Sequence, residues 1–128
     1  MSDIYAGIAP ASGGVNVVGT ATKTNQTASI GSTTLYAMPT TGMYRVSYVL
    51  MTSATGTGGT VTLTVVNGYS GLGQTTSALS LTAAVGTQVA GDFVLWATGG
   101  NSITYSTTVS GGSGSFAYRL DLRVEPLS

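Results

Sequence analysis

Polar and apolar residues alternate along much of this chain, and that alternation limits its possible folds more than any other feature. The segment from Gly42 to Met51 has four apolar residues on one side of an extended chain: Tyr44, Val46, Tyr48 and Leu50. Successive side chains of a β-strand point to opposite faces, so this segment is predicted to be a central strand. No segment has the i, i+3, i+4, i+7 spacing of an amphipathic helix. The chain is therefore predicted to be all-β.

Further predicted strands lie before and after this one at intervals of about 8 to 12 residues, with Gly-rich breaks between most of them. They cover residues 15–23, 33–38, 60–66, 78–83, 87–97, 102–109 and 115–124. The Gly-rich stretches 55–59 and 110–115 are interpreted as hairpin connections. Seven or eight strands at this spacing predict an antiparallel β-sandwich or barrel.

The length of 128 residues suits one domain with one hydrophobic core. The first 14 residues differ in character, because Ile4, Tyr5 and Ile8 stand among small residues before Ser12-Gly13-Gly14. We predict an N-terminal arm over residues 1–14 and a single β-sandwich domain over residues 15–128. Two interpretations of the arm stay open: a frayed terminus, or a segment whose apolar residues Ile4, Tyr5 and Ile8 dock on a neighbouring subunit.

Charged residues make up only 6% of the chain, with four Lys and Arg against four Asp and Glu. No net field attracts an anionic polymer, so no nucleic-acid partner is predicted. A surface this poor in charge has little mutual repulsion in solution. We therefore expect copies of the chain or a partner to cover much of it. No window approaches the ~18 apolar residues of a membrane span, and no membrane partner is predicted.

The residue types that carry most enzyme chemistry are missing, because the chain has neither His nor Cys. Ser-His-Asp triads, thiolate nucleophiles and ordinary zinc sites are thereby excluded. A glycosidase needs two carboxylates about 5 to 9.5 Å apart, whereas Asp121 and Glu125 lie about 13 Å apart along one strand. A carboxylate pair that includes Asp3 or Asp92, brought together by the fold, stays open. We predict no enzyme, no catalytic or metal-binding residue and no cofactor.

The last predicted strand separates apolar from charged residues. Its apolar side holds Phe116, Tyr118, Leu120, Leu122 and Val124, and its charged side holds Arg119, Asp121, Arg123 and Glu125. Two interpretations of the charged stripe stay open: a solvated outer face, or an interface ladder that pairs with a second copy of itself. Under the second interpretation, all four charged residues contact a partner.

The aromatic residues are predicted to fall into two groups, buried and exposed. Trp96, Tyr44 and Tyr48 are predicted to lie in the core, since aromatic residues at strand spacing are usually buried. Tyr5, Tyr36 and Tyr69 stand near loops or the arm and are candidates for a binding surface.

Three segments of the chain resemble the small all-β virion proteins of tailed bacteriophages. They are Gly42-Met43-Tyr44-Arg45-Val46-Ser47, Ser102-Ile103-Thr104-Tyr105-Ser106-Thr107-Thr108, and the closing Tyr118-Arg119-Leu120-Asp121-Leu122-Arg123-Val124-Glu125-Pro126-Leu127. The strand spacing, and the Gly-x-Tyr sequence with which the central strand begins at Gly42, also resemble the trimeric jelly rolls of the tumour necrosis factor and complement type.

These resemblances imply a jelly-roll sandwich of about eight strands that forms a homotrimer. They imply a capsid decoration (cement) protein, made in the host cytoplasm and carried in the virion, that binds the major capsid protein or another virion protein. An alternative is a receptor- or carbohydrate-binding module, such as the head domain of a tail fibre. This alternative predicts exposed aromatic residues in a loop cluster near Tyr69, Gln74 or Asn101.

Overall fold

The computed structural model describes residues 16–127, which form nine β-strands joined by turns and loops. The strands are β1 (Gly19–Gln26), β2 (Thr33–Ala37), β3 (Gly42–Ala54), β4 (Gly58–Val66), β5 (Gly73–Thr75), β6 (Leu79–Ser80), β7 (Gln88–Ala97), β8 (Ser102–Ser113) and β9 (Ala117–Pro126). Residues 16–127 contain no helix, and so none of a length and hydropathy that would cross a membrane.

The strands form two antiparallel sheets. One sheet has the order β1-β9-β3-β7, and the other has the order β2-β8-β4-β5 with β6 also paired to β4. The short β5 and β6 share the same edge of β4, so the fold has eight strand positions. Successive strands cross repeatedly between the sheets, which is the arrangement of a jelly roll. The predicted antiparallel β-sandwich of jelly-roll type is confirmed.

One hydrophobic core fills the space between the sheets. The alternation in the sequence directs every second residue of the long strands towards it, and those no more than 2% exposed include Val46, Leu50, Val61, Leu63, Val65, Ile103, Tyr105, Tyr118, Leu120, Leu122 and Val124. Burying an aliphatic side chain of this size stabilises the fold by about 1.5–3 kcal/mol relative to exposure. The intervening residues of the same strands face outward, and they form the two outer surfaces of the sandwich.

Two Gly-rich stretches differ from the prediction of simple hairpin connections. Gly58 and Gly59 belong to β4, and β8 continues to Ser113. Gly58 is aligned with Ser113 and Thr60 with Ser110, with a shift of register between them. The strand predicted over residues 78–83 is also shorter than expected, because only Leu79–Ser80 pairs with β4.

Candidate functional site

Nearly all the charge of the described chain lies on the outer face of the four-stranded sheet, which we call the charged face. Of the seven charged residues within 16–127, six point outward there: Arg45, Asp92, Arg119, Asp121, Arg123 and Glu125. The register aligns Arg119 with Met51, Asp121 with Val49, Arg123 with Ser47 and Glu125 with Arg45. The charged stripe of the sequence is therefore part of a wider surface that spans three strands.

Most of these charges are already paired within the molecule. Arg119 donates two hydrogen bonds to Asp121, from Nε to Oδ2 at 2.7 Å and from Nη2 to Oδ1 at 3.2 Å. Arg45 Nη1 donates to Glu125 Oε1 at 2.9 Å, and Arg45 Nε lies 3.7 Å from Asp92 Oδ2. Because three cations and three anions share this face, its formal charge sums to zero.

The Arg119 guanidinium holds the pKa of the Asp121 carboxyl below its ordinary value by donating hydrogen bonds to it. Partial burial opposes that shift, while the Thr22 hydroxyl, which donates to Asp121 Oδ1 at 3.0 Å, and the charge of Arg123 reinforce it. The same contact raises the pKa of Arg119. The carboxylate is thus fixed in position and in charge.

A pH titration checks this arrangement. Since the pKa of Asp121 is lower in the folded than in the unfolded chain, the pair stabilises the fold above the unfolded pKa of about 3.9, and this contribution is lost as the pH falls through the folded pKa. We expect Arg119→Gln to raise the NMR titration midpoint of the Asp121 carboxyl towards its ordinary value. The control Arg45→Gln should leave that midpoint in place. An Asp121 midpoint that does not respond to Arg119→Gln would contradict the pairing.

A groove of about 530 Å³ crosses the charged face over β1, β9 and β3. Its polar lining includes Thr20, Thr22, Arg119, Asp121 and Arg123, and its apolar side chains are Val49 and Met51, because the Leu122 side chain faces the core. A smaller hollow of about 100 Å³, lined in part by Ser47, adjoins it at Asp121 and Arg123. This concavity is lined mainly by polar side chains, with a smaller apolar side.

The opposite end of the charged face is apolar. Four exposed hydrophobic residues, which we call the apolar end, meet there: Met43 (41% exposed), Val94 (49%), Trp96 (50%) and Leu127 (37%). Met43 is aligned with Trp96 across β3 and β7, and the Leu127 amide donates to the Met43 carbonyl at 2.8 Å. Contiguous exposed apolar residues of this kind mark interaction sites on soluble proteins.

The prediction that Trp96 lies in the core is wrong. Leu95 and Ala97, at 2% and 0% exposure, occupy the inward positions of β7, so the residue between them must face out. Tyr44 is buried as predicted, while Tyr48 is half-buried and stacks on Phe93 at a centroid distance of 5.2 Å. The signal in the sequence for an exposed Trp96 is the alternation along β7, which puts Trp96 on the face opposite to Leu95.

The outer face of the five-stranded sheet is built from hydroxyl groups, and we call it the hydroxyl face. Cross-strand alignments pair Thr60 with Ser110, Thr62 with Thr108, and Thr64 with both Ser106 and Thr75. The Thr64 and Thr75 hydroxyls are 2.8 Å apart. No strand of this sheet carries a charged residue. Cross-strand Thr and Ser pairs stabilise a sheet in their own right.

A third exposed feature is the loop 67–72 between β4 and β5. Asn67 Oδ1 accepts hydrogen bonds from the amides of Tyr69, Ser70 and Gly71 at 3.0, 3.0 and 3.2 Å, which fixes the loop. Asn101 Nδ2 donates to the Gly68 carbonyl at 2.8 Å and connects the loop to the turn between β7 and β8. The Tyr69 side chain is 65% exposed at the tip.

The seven predicted interface residues fall into two groups. Arg119, Asp121, Arg123 and Glu125 share the charged face, whereas Ile4, Tyr5 and Ile8 lie outside the described residues. Within residues 16–127, no three His, Cys, Asp or Glu side chains come together as a metal-binding group.

Comparison with known proteins gives a likeness in structure and none in sequence family. No protein-family model matches the sequence, and no curated protein matches it. The fold is similar to a carbohydrate-binding module from Cellvibrio mixtus lichenase 5A, solved in complex with cellotriose. The two share 16% sequence identity and a TM-score of 0.45, over 88% of this chain and 91% of that one. A likeness at this level does not extend to the ligand.

Proposed function

We propose that the protein is a non-enzymatic structural protein of a phage virion, which associates with copies of itself through the apolar end of the charged face. The proposed assembly is a homotrimer that decorates the head by binding the major capsid protein or another virion protein. The observation that carries the self-association is the exposure of Trp96, Val94 and Met43 side by side on one sheet.

Exposed Trp and Met side chains favour association because their burial removes a large apolar area from water. Trp is also over-represented among the residues whose truncation weakens interfaces most. Trp96 is the largest side chain of this cluster, with Met43 across the ladder and Val94 two residues before it on the same face. A single substitution there removes the largest contact.

A second copy is a suitable occupant of this surface on electrostatic grounds. The charged face sums to zero, and the ion pairs Arg45–Glu125 and Arg119–Asp121 are satisfied within one molecule. Copies that meet at the apolar end therefore approach without net repulsion, and the adjoining Arg45–Glu125 pair helps set the register. The placement on a phage head rests on the sequence resemblance.

The oligomeric state tests this proposal. We expect the purified chain to have the mass of a trimer by light scattering on a sizing column, and Trp96→Glu to have the mass of a monomer, because a charge buried without a partner strongly opposes association. Thr108→Glu is the matched control, since it adds the same charge to the hydroxyl face. A monomeric wild-type chain, or dissociation by Thr108→Glu with none by Trp96→Glu, would contradict the proposal.

The fixed loop 67–72 favours a second candidate function, the recognition of a receptor or carbohydrate. A rigid loop that displays Tyr69 at 65% exposure presents an aromatic face to a ligand at low entropic cost. This matches the predicted loop cluster, where Asn67 and Asn101 provide the polar neighbours. A glycan array with the wild type and Tyr69→Ala tests this candidate, because recognition by the loop predicts saccharides that only the wild type retains.

A further inference from the structure

We infer that the groove over β1, β9 and β3 is a binding site for a carboxylate-bearing saccharide, such as a chain that contains uronic acids, and that Arg123 holds the carboxylate. This inference does not depend on the apolar end, which lies at the other end of the same face. It concerns the groove residues alone.

The charges of the groove favour an anionic ligand. Arg119 is engaged by Asp121 through two hydrogen bonds, and Arg45, outside the groove, is engaged by Glu125. Arg123 is exposed and takes part in none of the ion pairs of the described residues. The groove lining therefore has one net positive charge, and the guanidinium that supplies it is free to bind a carboxylate with two parallel hydrogen bonds.

Hydroxyl groups flank that guanidinium on both sides. The register places Thr20 of β1 and Ser47 of β3 directly opposite Arg123. Each hydroxyl both donates and accepts a hydrogen bond, and the fixed Asp121 carboxylate accepts further ones. A ligand rich in hydroxyl groups matches this lining better than a simple anion does.

The groove also has an apolar side that a simple anion would leave unused. Val49 and Met51 are half-buried and lie opposite Asp121 and Arg119. A pyranose ring has an apolar C–H face and hydroxyl groups around its edge, so it contacts both kinds of lining at once. The volume of about 530 Å³ is within the roughly 300–1,000 Å³ of small-molecule sites.

An NMR titration of the full chain tests the inference. The probes are a tetrasaccharide of glucuronic acid, its neutral glucose counterpart and inorganic phosphate. We expect the acidic tetrasaccharide to shift the amide signals of residues 20–22, 47–51 and 119–123. Arg123→Gln should weaken that binding about 10-fold or more, because it removes the charged hydrogen bonds to the carboxylate. Arg123→Lys, which keeps the charge but loses the planar fork, should have an intermediate effect.

Thr108→Ala on the hydroxyl face is the matched control and should bind as the wild type does. The inference is overturned by equal binding of the neutral tetrasaccharide, by the same shifts with phosphate alone, by wild-type affinity in Arg123→Gln, or by no binding of either saccharide. Shifts confined to residues 67–72 would overturn it too, and would support the Tyr69 loop as the saccharide site. None of these outcomes alters the mass measured by light scattering, so self-association stands or fails separately.

Discussion

Gly59→Ala is expected to lower the free energy of unfolding by about 2–5 kcal/mol, from backbone strain and overpacking together. Gly59 has a φ of +101°, a conformation that L-residues with a side chain rarely adopt. A Cβ atom at this position would lie 2.6 Å from both the Cα and the amide nitrogen of Gly112 in β8. These are backbone atoms of a paired strand, so no side chain can rotate to make room.

Gly86→Ala separates the two causes. Gly86 has a nearly equal φ of +94°, but a Cβ atom there meets nothing within 4 Å. Its substitution should therefore lower the free energy of unfolding by about 1–2 kcal/mol, from backbone strain alone. Urea unfolding of both variants measures the difference. Equal losses would mean that the close approach of β4 and β8 at Gly59 adds nothing to the cost.

This close approach also explains why two Gly-rich stretches form paired strands, although their composition predicts connections. Gly is depleted in strands, and a run of Gly is usually a turn. Gly58 and Gly59 instead face Gly112 and Ser113 at a shift of register, where the two backbones come too close for side chains. The pattern is visible only once the two stretches, about fifty residues apart, are known to pair.

The faces of the long strands were easier to predict. In β9, Leu120, Leu122 and Val124 are buried and the alternate charged residues face out, because an extended strand allows no other division. The partners of those charges depend on strand order instead. Arg45 binds Glu125 across 80 residues of sequence, and only the neighbouring positions of β3 and β9 bring the two together.

The two outer surfaces of the sandwich differ in a way that bears on function. One collects six charged residues, a groove and the apolar end, while the other presents paired hydroxyl groups with no charge on any of its strands. Hydroxyl pairs satisfy one another within the sheet, as the 2.8 Å contact of Thr64 and Thr75 shows. The charged face therefore carries both the proposed self-association and the proposed saccharide groove.

Tyr118→Phe is expected to lower the free energy of unfolding by about 1–3 kcal/mol, although it removes only one oxygen atom. Tyr118 is fully buried, and its hydroxyl donates to the Ala28 carbonyl at 2.6 Å and lies 2.6 Å from Thr107 Oγ1. Because the Tyr118 hydroxyl donates to Ala28, its oxygen accepts a hydrogen bond from the Thr107 hydroxyl. The Thr107 oxygen in turn accepts from the Ile30 amide at 2.8 Å. Every donor in this chain has an acceptor, and the chain joins both sheets to the β1–β2 connection.

Thr107→Val, which preserves the shape of the side chain, should have a comparable effect because it leaves the partly buried Ile30 amide without its acceptor. The double variant should lose less than the sum of the two single losses, since each substitution already breaks the bond between the two hydroxyls. Tyr44→Phe is the control: its hydroxyl also donates to a partly buried carbonyl, that of Thr40 at 2.7 Å, but it has no buried hydroxyl partner, because Thr40 is exposed. Equal losses in Tyr118→Phe and Tyr44→Phe, measured by urea unfolding, would show that the buried contact between Tyr118 and Thr107 adds nothing to a single bond to a carbonyl.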